Sequence, residues 1–164
     1  MKDVIIRKAV KEDFPAILKL NEAVVEKTSP LNLERLTWLG NISIYHKVAV
    51  VDNQVAGFLL VMRSDADYPN DNFAYFGARF SSFLYIDRIV VGSDYFGLKI
   101  GTRLYQDLFA YAKEQNIENI TCEYNLEPLN LASQAFHNKF GFTELGTQRV
   151  ANGSKLVSLQ VAKV

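Results

Sequence analysis

Two stretches of the 164-residue chain combine residue types and spacing that could do chemistry. The first is Val91-Gly92-Ser93-Asp94-Tyr95-Phe96-Gly97-Leu98-Lys99-Ile100-Gly101-Thr102, which leaves a β-branched and aromatic run and enters an amphipathic one. A helix start leaves backbone N–H groups unpaired and carries the positive end of the macrodipole. Glycines there let the main chain approach an anion, so such a turn can hold a phosphate or pyrophosphate. Gly97 and Gly101 would equally serve a tight strand-to-helix connection. No Gly-Lys-Ser/Thr follows at P-loop spacing, and Gly-x-Gly-x-x-Gly is not present either. The second stretch is Asn130-Leu131-Ala132-Ser133-Gln134-Ala135-Phe136-His137-Asn138-Lys139-Phe140-Gly141-Phe142. Asn130 stands where it would cap a helix, and Gly141 where it would end one.

These stretches need elements to position them. Val4 to Ala9 reads as a first strand, and Phe14, Ile17, Leu18, Val24 and Val25 follow at helical spacing until Thr28-Ser29-Pro30. Leu33, Leu36 and Thr37 suggest a second helix ending near Gly40. Lys47 to Val51 and Gln54 to Met62, around Asp52-Asn53, read as a hairpin. Ser64 to Phe80 shows no period, although it holds Asp65, Asp67 and Asp71, which suit a solvated acidic loop or an attraction for a cationic amine. Phe83 to Val91 is a strong strand, with Phe83, Tyr85, Asp87, Ile89 and Val91 on one face. A helix from Thr102 to Gln115, a strand from Ile117 to Tyr124 and a helix from Leu131 to Phe140 come next. Strands from Phe142 to Arg149 and Leu156 to Val161 close the chain around Asn152-Gly153. The reading is one α+β domain over residues 1–164, a mixed and mostly antiparallel sheet of about seven strands with about four helices.

Composition narrows the function classes. Eighteen Lys/Arg balance eighteen Asp/Glu, so no positive surplus favours nucleic acid. With 49% hydrophobic and 22% charged residues, the chain is unlike a disordered one. A single cysteine excludes an internal disulfide and a cysteine-based zinc site. Two histidines, His46 and His137, leave little for a transition metal, so no metal is expected. The longest apolar run, Phe58 to Met62, is far short of the roughly 20 residues that span a membrane. With no signal-peptide pattern at the start, a cytoplasmic protein without membrane partners is expected.

Together the two stretches resemble the GNAT superfamily of N-acetyltransferases. There a strand leads into Gln/Arg-x-x-Gly-x-Gly/Ala, and a later helix carries Asn-x-x-Ala/Ser-x-x-Phe/Leu-Tyr-x-Lys-x-Gly-Phe. The match falls on Asn130, Ser133, Phe136, Lys139, Gly141 and Phe142, and the element order is also the family's. The departures are Phe96 and Lys99 in the glycine turn and His137 in place of the tyrosine. The resemblance implies acetyl transfer from acetyl-CoA, as cosubstrate, to a primary amine of a small molecule or peptide. A catalytically weak acyl-CoA-binding sensor of the same fold is the alternative.

The implied CoA-binding residues are Ile89, Val90 and Val91, whose backbone would pair with the pantetheine arm, and Phe96, Gly97, Leu98, Lys99, Ile100, Gly101 and Thr102 at the pyrophosphate. Asn130 and His137 complete the set, and the backbone N–H of Val91 or a neighbour is the candidate oxyanion donor. Asp87 is the first candidate for the base, unless it pairs with an arginine, and Glu123 is the second. His137 holds the position of the family's acid, while Tyr124, and further off Tyr85, could supply the proton instead. The apolar last strand (Leu156, Val157, Leu159, Val161) could pair across a homodimer.

Overall fold

In the computed structural model, which describes residues 2–164, short apolar runs and their turn residues become strands and helices in the expected order. β1 (Ile5–Lys8) leads through a 3-10 turn at Lys11–Asp13 into α1 (Phe14–Ala23), which has Pro15 in its first turn, where the missing N–H costs nothing. α2 (Leu33–Ile42) starts at Asn32, whose side chain accepts from the Arg35 N–H at 2.8 Å. Gly40, expected near the end of this helix, lies inside it, because Ser43 N–H still bonds to Leu39 O.

β2 (Tyr45–Val51) and β3 (Gln54–Arg63) are joined by Asp52 and Asn53 at φ 49° and 63°, the left-handed pair that a two-residue hairpin turn requires. The aperiodic segment after β3 contains a helix that its pattern did not announce. α3 (Asp71–Gly77) is capped by Asn70, which accepts from Phe73 N–H at 3.0 Å, and it buries Asn72, Phe73 and Phe76. β4 (Leu84–Val91), α4 (Ile100–Glu114), β5 (Asn119–Glu127), α5 (Leu131–Lys139), β6 (Thr143–Val150) and β7 (Lys155–Lys163) follow.

The seven strands form one mixed, mostly antiparallel sheet in the order β1-β2-β3-β4-β5-β7-β6. β4 and β5 pair in parallel at Leu84–Ile120 and Tyr85–Thr121. β7 is an inner strand, with Leu156, Val157, Leu159 and Val161 each paired to β5 on one side and β6 on the other. Its backbone groups are therefore used within the chain, and the expected dimer contact through the last strand is closed.

The chain divides into two compact units, one comprising residues up to Met62 with Asp87–Tyr111, the other Arg63–Ile86 with Ala112–Val164. The first is centred on Phe14, Ile17, Leu36, Val48, Phe58 and Val90. The second contains a nest of rings, with Phe73 centroids 5.6 Å from Phe83 and 5.7 Å from Tyr85. No helix among the described residues is long and apolar enough to cross a membrane.

Candidate functional site

In the first unit the site begins where β3 meets the end of β4. A Cβ on Gly57 would lie 2.8 Å from Val90 O and 3.2 Å from Ile100 Cγ2, so only glycine lets β3 pass this closely. Gly92 N–H then donates to Ala56 O at 2.8 Å, which fixes the exit of β4. A 3-10 turn at Ser93–Tyr95 follows, and Phe96 is 70% exposed. Gly97 takes φ 95°, a left-handed value that favours glycine, and Lys99, exposed, takes φ 58°. Lys99 O accepts from Arg103 N–H at 3.0 Å, so α4 winds directly from this residue. By helix geometry the N–H groups of Ile100, Gly101 and Thr102 have no intrahelical acceptor. Ile100 anchors the turn at 1% exposed, while Leu98, Gly101 and Thr102 are half-buried. The turn thus presents N–H donors and the positive helix end together, a cradle suited to an anion.

Along β4, Ile89 and Val91 are half-buried and Val90 is buried. Asp87 and Arg88 form a buried pair, Asp87 Oδ2 accepting from Arg88 Nε at 2.7 Å with each side chain 4% exposed. Arg88 also donates to Asn21 Oδ1, Ser29 O and Ser29 Oγ at 3.2, 3.0 and 3.0 Å. Asp87 therefore has the arginine partner that the sequence left open, bonded through one of its carboxylate oxygens.

In the second unit Tyr85 donates its hydroxyl to Glu123 Oε1 at 2.5 Å, joining β4 and β5 side by side. Glu123 is half-buried. Tyr124 is 8% exposed and accepts from Gln160 Nε2 at 3.2 Å. α5 begins at Asn130, whose side chain accepts from Ser133 N–H at 3.2 Å, so this residue does cap its helix. His137, 4% exposed, packs edge-on against Phe136 and Phe142 and tilted against Tyr124, with ring centroids 5.4, 5.2 and 5.9 Å away. Its Nδ1 lies 2.7 Å from Ser133 O, a carbonyl that can only accept, so Nδ1 carries the proton. Burial pushes its pKa below the usual histidine value, against a smaller opposing effect of that bond. The ring is thus held neutral around pH 7, which weakens it as a proton donor. Cys122 is buried, and burial raises its thiol pKa well above the ordinary value, with Glu123 adding to the effect. That leaves it a poor nucleophile.

Sequence reasoning did not find Gly57, Gln160 or the Tyr85–Glu123 bond. An isolated glycine within a strand pattern was a usable signal for the first; partners far apart in sequence left none for the others. Among the described residues no group of three or more His, Cys, Asp or Glu is disposed to hold a metal ion.

The strand-to-helix turn of the first unit offers N–H donors at a helix start, a cradle suited to an anion. The sequence model of the Acetyltransferase (GNAT) family matches residues 7–142. The chain belongs to this family, whose fold supports acyltransferase activity. Among solved structures it is similar to Ard1 from Thermoplasma volcanium, at 15% identity and TM-score 0.80, over 98% of this chain and 97% of that one. A ribosomal-protein-alanine N-acetyltransferase from Brucella melitensis is 25% identical, with TM-score 0.73 over 98% and 99% of the two chains. The NatC complex bound to Gag peptide and CoA gives 16% identity and TM-score 0.74 over 99% of each chain. No curated protein matches the sequence.

Proposed function

We propose that the protein transfers an acetyl group from acetyl-CoA to a primary amine of a small molecule or peptide, by direct attack of the amine on the thioester. The observation that carries this reading is the left-handed turn at Gly97 and Lys99, after which the N–H groups of Ile100, Gly101 and Thr102 open α4 without an intrahelical acceptor, in a chain of the GNAT family. Phe96, Gly97, Leu98, Lys99, Ile100, Gly101 and Thr102 take the pyrophosphate, and the Lys99 ammonium adds a positive charge. The backbone of Ile89, Val90 and Val91 takes the pantetheine arm, and Asn130 and His137 complete the CoA contacts. A peptide α-amine is a favoured acceptor within this class, since the Brucella protein is named for a ribosomal-protein alanine and the NatC complex was solved with a peptide.

Glu123 is the better base. The Asp87 carboxylate is engaged by a buried guanidinium, whereas Glu123 is half-buried and accepts from the Tyr85 phenol. The Tyr85 hydroxyl orients Glu123 as it removes a proton from the acceptor ammonium, directly or through one water. Tyr124 is the better acid, because His137 is held neutral with its Nδ1 proton on Ser133 O.

The test is CoA release from acetyl-CoA with a panel of amines that includes short peptides with free N-termini. Turnover on at least one amine is expected, with Glu123→Gln slowing it more than Asp87→Asn. Tight CoA binding without turnover on any acceptor would instead make the protein an acyl-CoA sensor.

A further inference from the structure

Three adjacent strands of the second unit carry a continuous line of polar side chains. β7 sets Gln160 opposite Cys122 and Ser158 opposite Tyr124 on β5, and β6 sets Glu144 opposite Gln160. Ser158 Oγ donates to Glu144 Oε1 at 2.7 Å. Gln160 Nε2 donates to Ser158 Oγ at 2.6 Å and to Tyr124 Oη at 3.2 Å. Ser158 and Gln160 are 0% and 2% exposed, while Glu144 is at the surface. Gln160 Oε1 is buried without a hydrogen-bond partner. An orphaned buried acceptor is costly and rare, so something must hold the amide in this orientation.

Donor counting identifies what holds it. A carboxylate only accepts, and a serine hydroxyl has one hydrogen to give. Once Ser158 gives that hydrogen to Glu144, its oxygen can only accept from Gln160. The amide must then present its NH2 group, and the same nitrogen reaches Tyr124. Tyr124 Oη is thereby used as an acceptor, and its own hydrogen is left to point elsewhere. The flipped amide would satisfy Oε1 by taking that hydrogen, and the acceptor that Glu144 offers to Ser158 opposes the flip.

We infer that Gln160 is a positioning residue, and that Glu144, acting through Ser158 and Gln160, keeps the Tyr124 hydroxyl as a proton donor to the departing CoA sulfur. This rests on the acetyltransferase reading above. In the step concerned the amine N–C bond is formed and the C–S bond breaks. The sulfur leaves with the bonding pair and takes the Tyr124 proton to become a thiol. The resulting phenolate is stabilised by the Gln160 N–H and regains a proton from the one the amine has released.

The test varies the surface end of the line and reads the buried end. Glu144→Lys places a pure donor against Ser158 and reverses the line, whereas Glu144→Gln retains a carbonyl that accepts. Glu144→Lys should lower kcat at least fivefold at saturating acetyl-CoA with an unchanged KM, and Glu144→Gln should stay near wild type. In a Tyr124→Phe background, Glu144→Lys should have no further effect, the non-additivity expected of coupled groups. Ser158→Ala, which interrupts the line at a buried position, should show the same dependence on Tyr124 and serves if the lysine variant does not fold. A wild-type kcat in both variants, or an equal loss in the two backgrounds, overturns the inference while leaving the acetyltransferase reading intact. Absence of turnover by the unmodified protein on every amine overturns both.

Discussion

Lys99 carries a side chain on a backbone that L-residues disfavour. Its φ of 58° is the left-handed region, and a Cβ there costs roughly 1–2 kcal/mol. Glycine at this position would relieve the clash, at the expense of a more flexible unfolded chain. Alanine keeps the Cβ and so keeps the clash. Lys99→Gly should therefore be about 1 kcal/mol more stable than Lys99→Ala in urea unfolding, and equal stabilities would show that the turn is not strained. The two carboxylates near the site separate in a similar way. Asp87→Asn weakens the partner of a buried guanidinium and should cost about 1–3 kcal/mol of stability. Glu123→Gln should leave the melting temperature nearly unchanged and lower kcat/KM on an amine about 100-fold. The reverse pattern, read from thermal melts and CoA release, would exchange the two roles. The sequence reading placed Asp87 ahead of Glu123 as the base, without sight of the groups around either. What ranks them is the neighbour each one meets, and Arg88 on a strand gives no sign of being buried.

At the scale of elements, the hairpin at Asp52-Asn53, the strand leading to Val91 and the cap at Asn130 were legible because each depends on a few adjacent residues. α3 was not. It is seven residues long, so Phe73 and Phe76 give only one helical interval, and its cap at Asn70 lies within an otherwise irregular polar segment. The position of the last strand was also hidden, since antiparallel pairing does not reveal whether β7 lies inside β6 or outside it. Gly57 shows how much an element boundary can depend on a distant contact. Its α-carbon faces Val90 O, the carbonyl just before the end of β4. Gly57→Ala would force β3 and β4 apart or displace Ile100, at a cost of about 1–3 kcal/mol. The displacement acts on the turn at Gly92–Ile100, so KM for acetyl-CoA should also rise. A variant as stable as the wild type would mean that the strands shift without strain.

The whole molecule joins the pH dependence of its two units. His46 in the first lies between the rings of Phe14 and Phe58, with centroids 6.1 and 6.5 Å away, and its Nε2 is buried without a partner. Burial lowers its pKa to about 4, only partly opposed by the charge of Asp13. His137 in the second unit is shifted in the same direction for the same reason. Both are neutral when folded and take up a proton near pH 6.5 when unfolded, so the unfolded chain binds more protons below that pH. Stability should be complete above about pH 6.5 and fall as the pH approaches 4, by on the order of 2–3 kcal/mol for His46 alone. Asp13 adds a separate loss at still lower pH. Its hydrogen bonds from Arg7 hold its pKa below the ordinary value of 3.8, so the stability from this pair is lost only as pH falls below that value. Urea midpoints measured between pH 7.5 and 4.5 should therefore decline for the wild type and decline less for His46→Gln. Parallel curves for the two proteins would remove His46 as the origin of the acid sensitivity. A remaining decline in His46→Gln that vanishes on adding His137→Gln would assign the rest to α5, the helix whose residue at this position was first read as a catalytic acid.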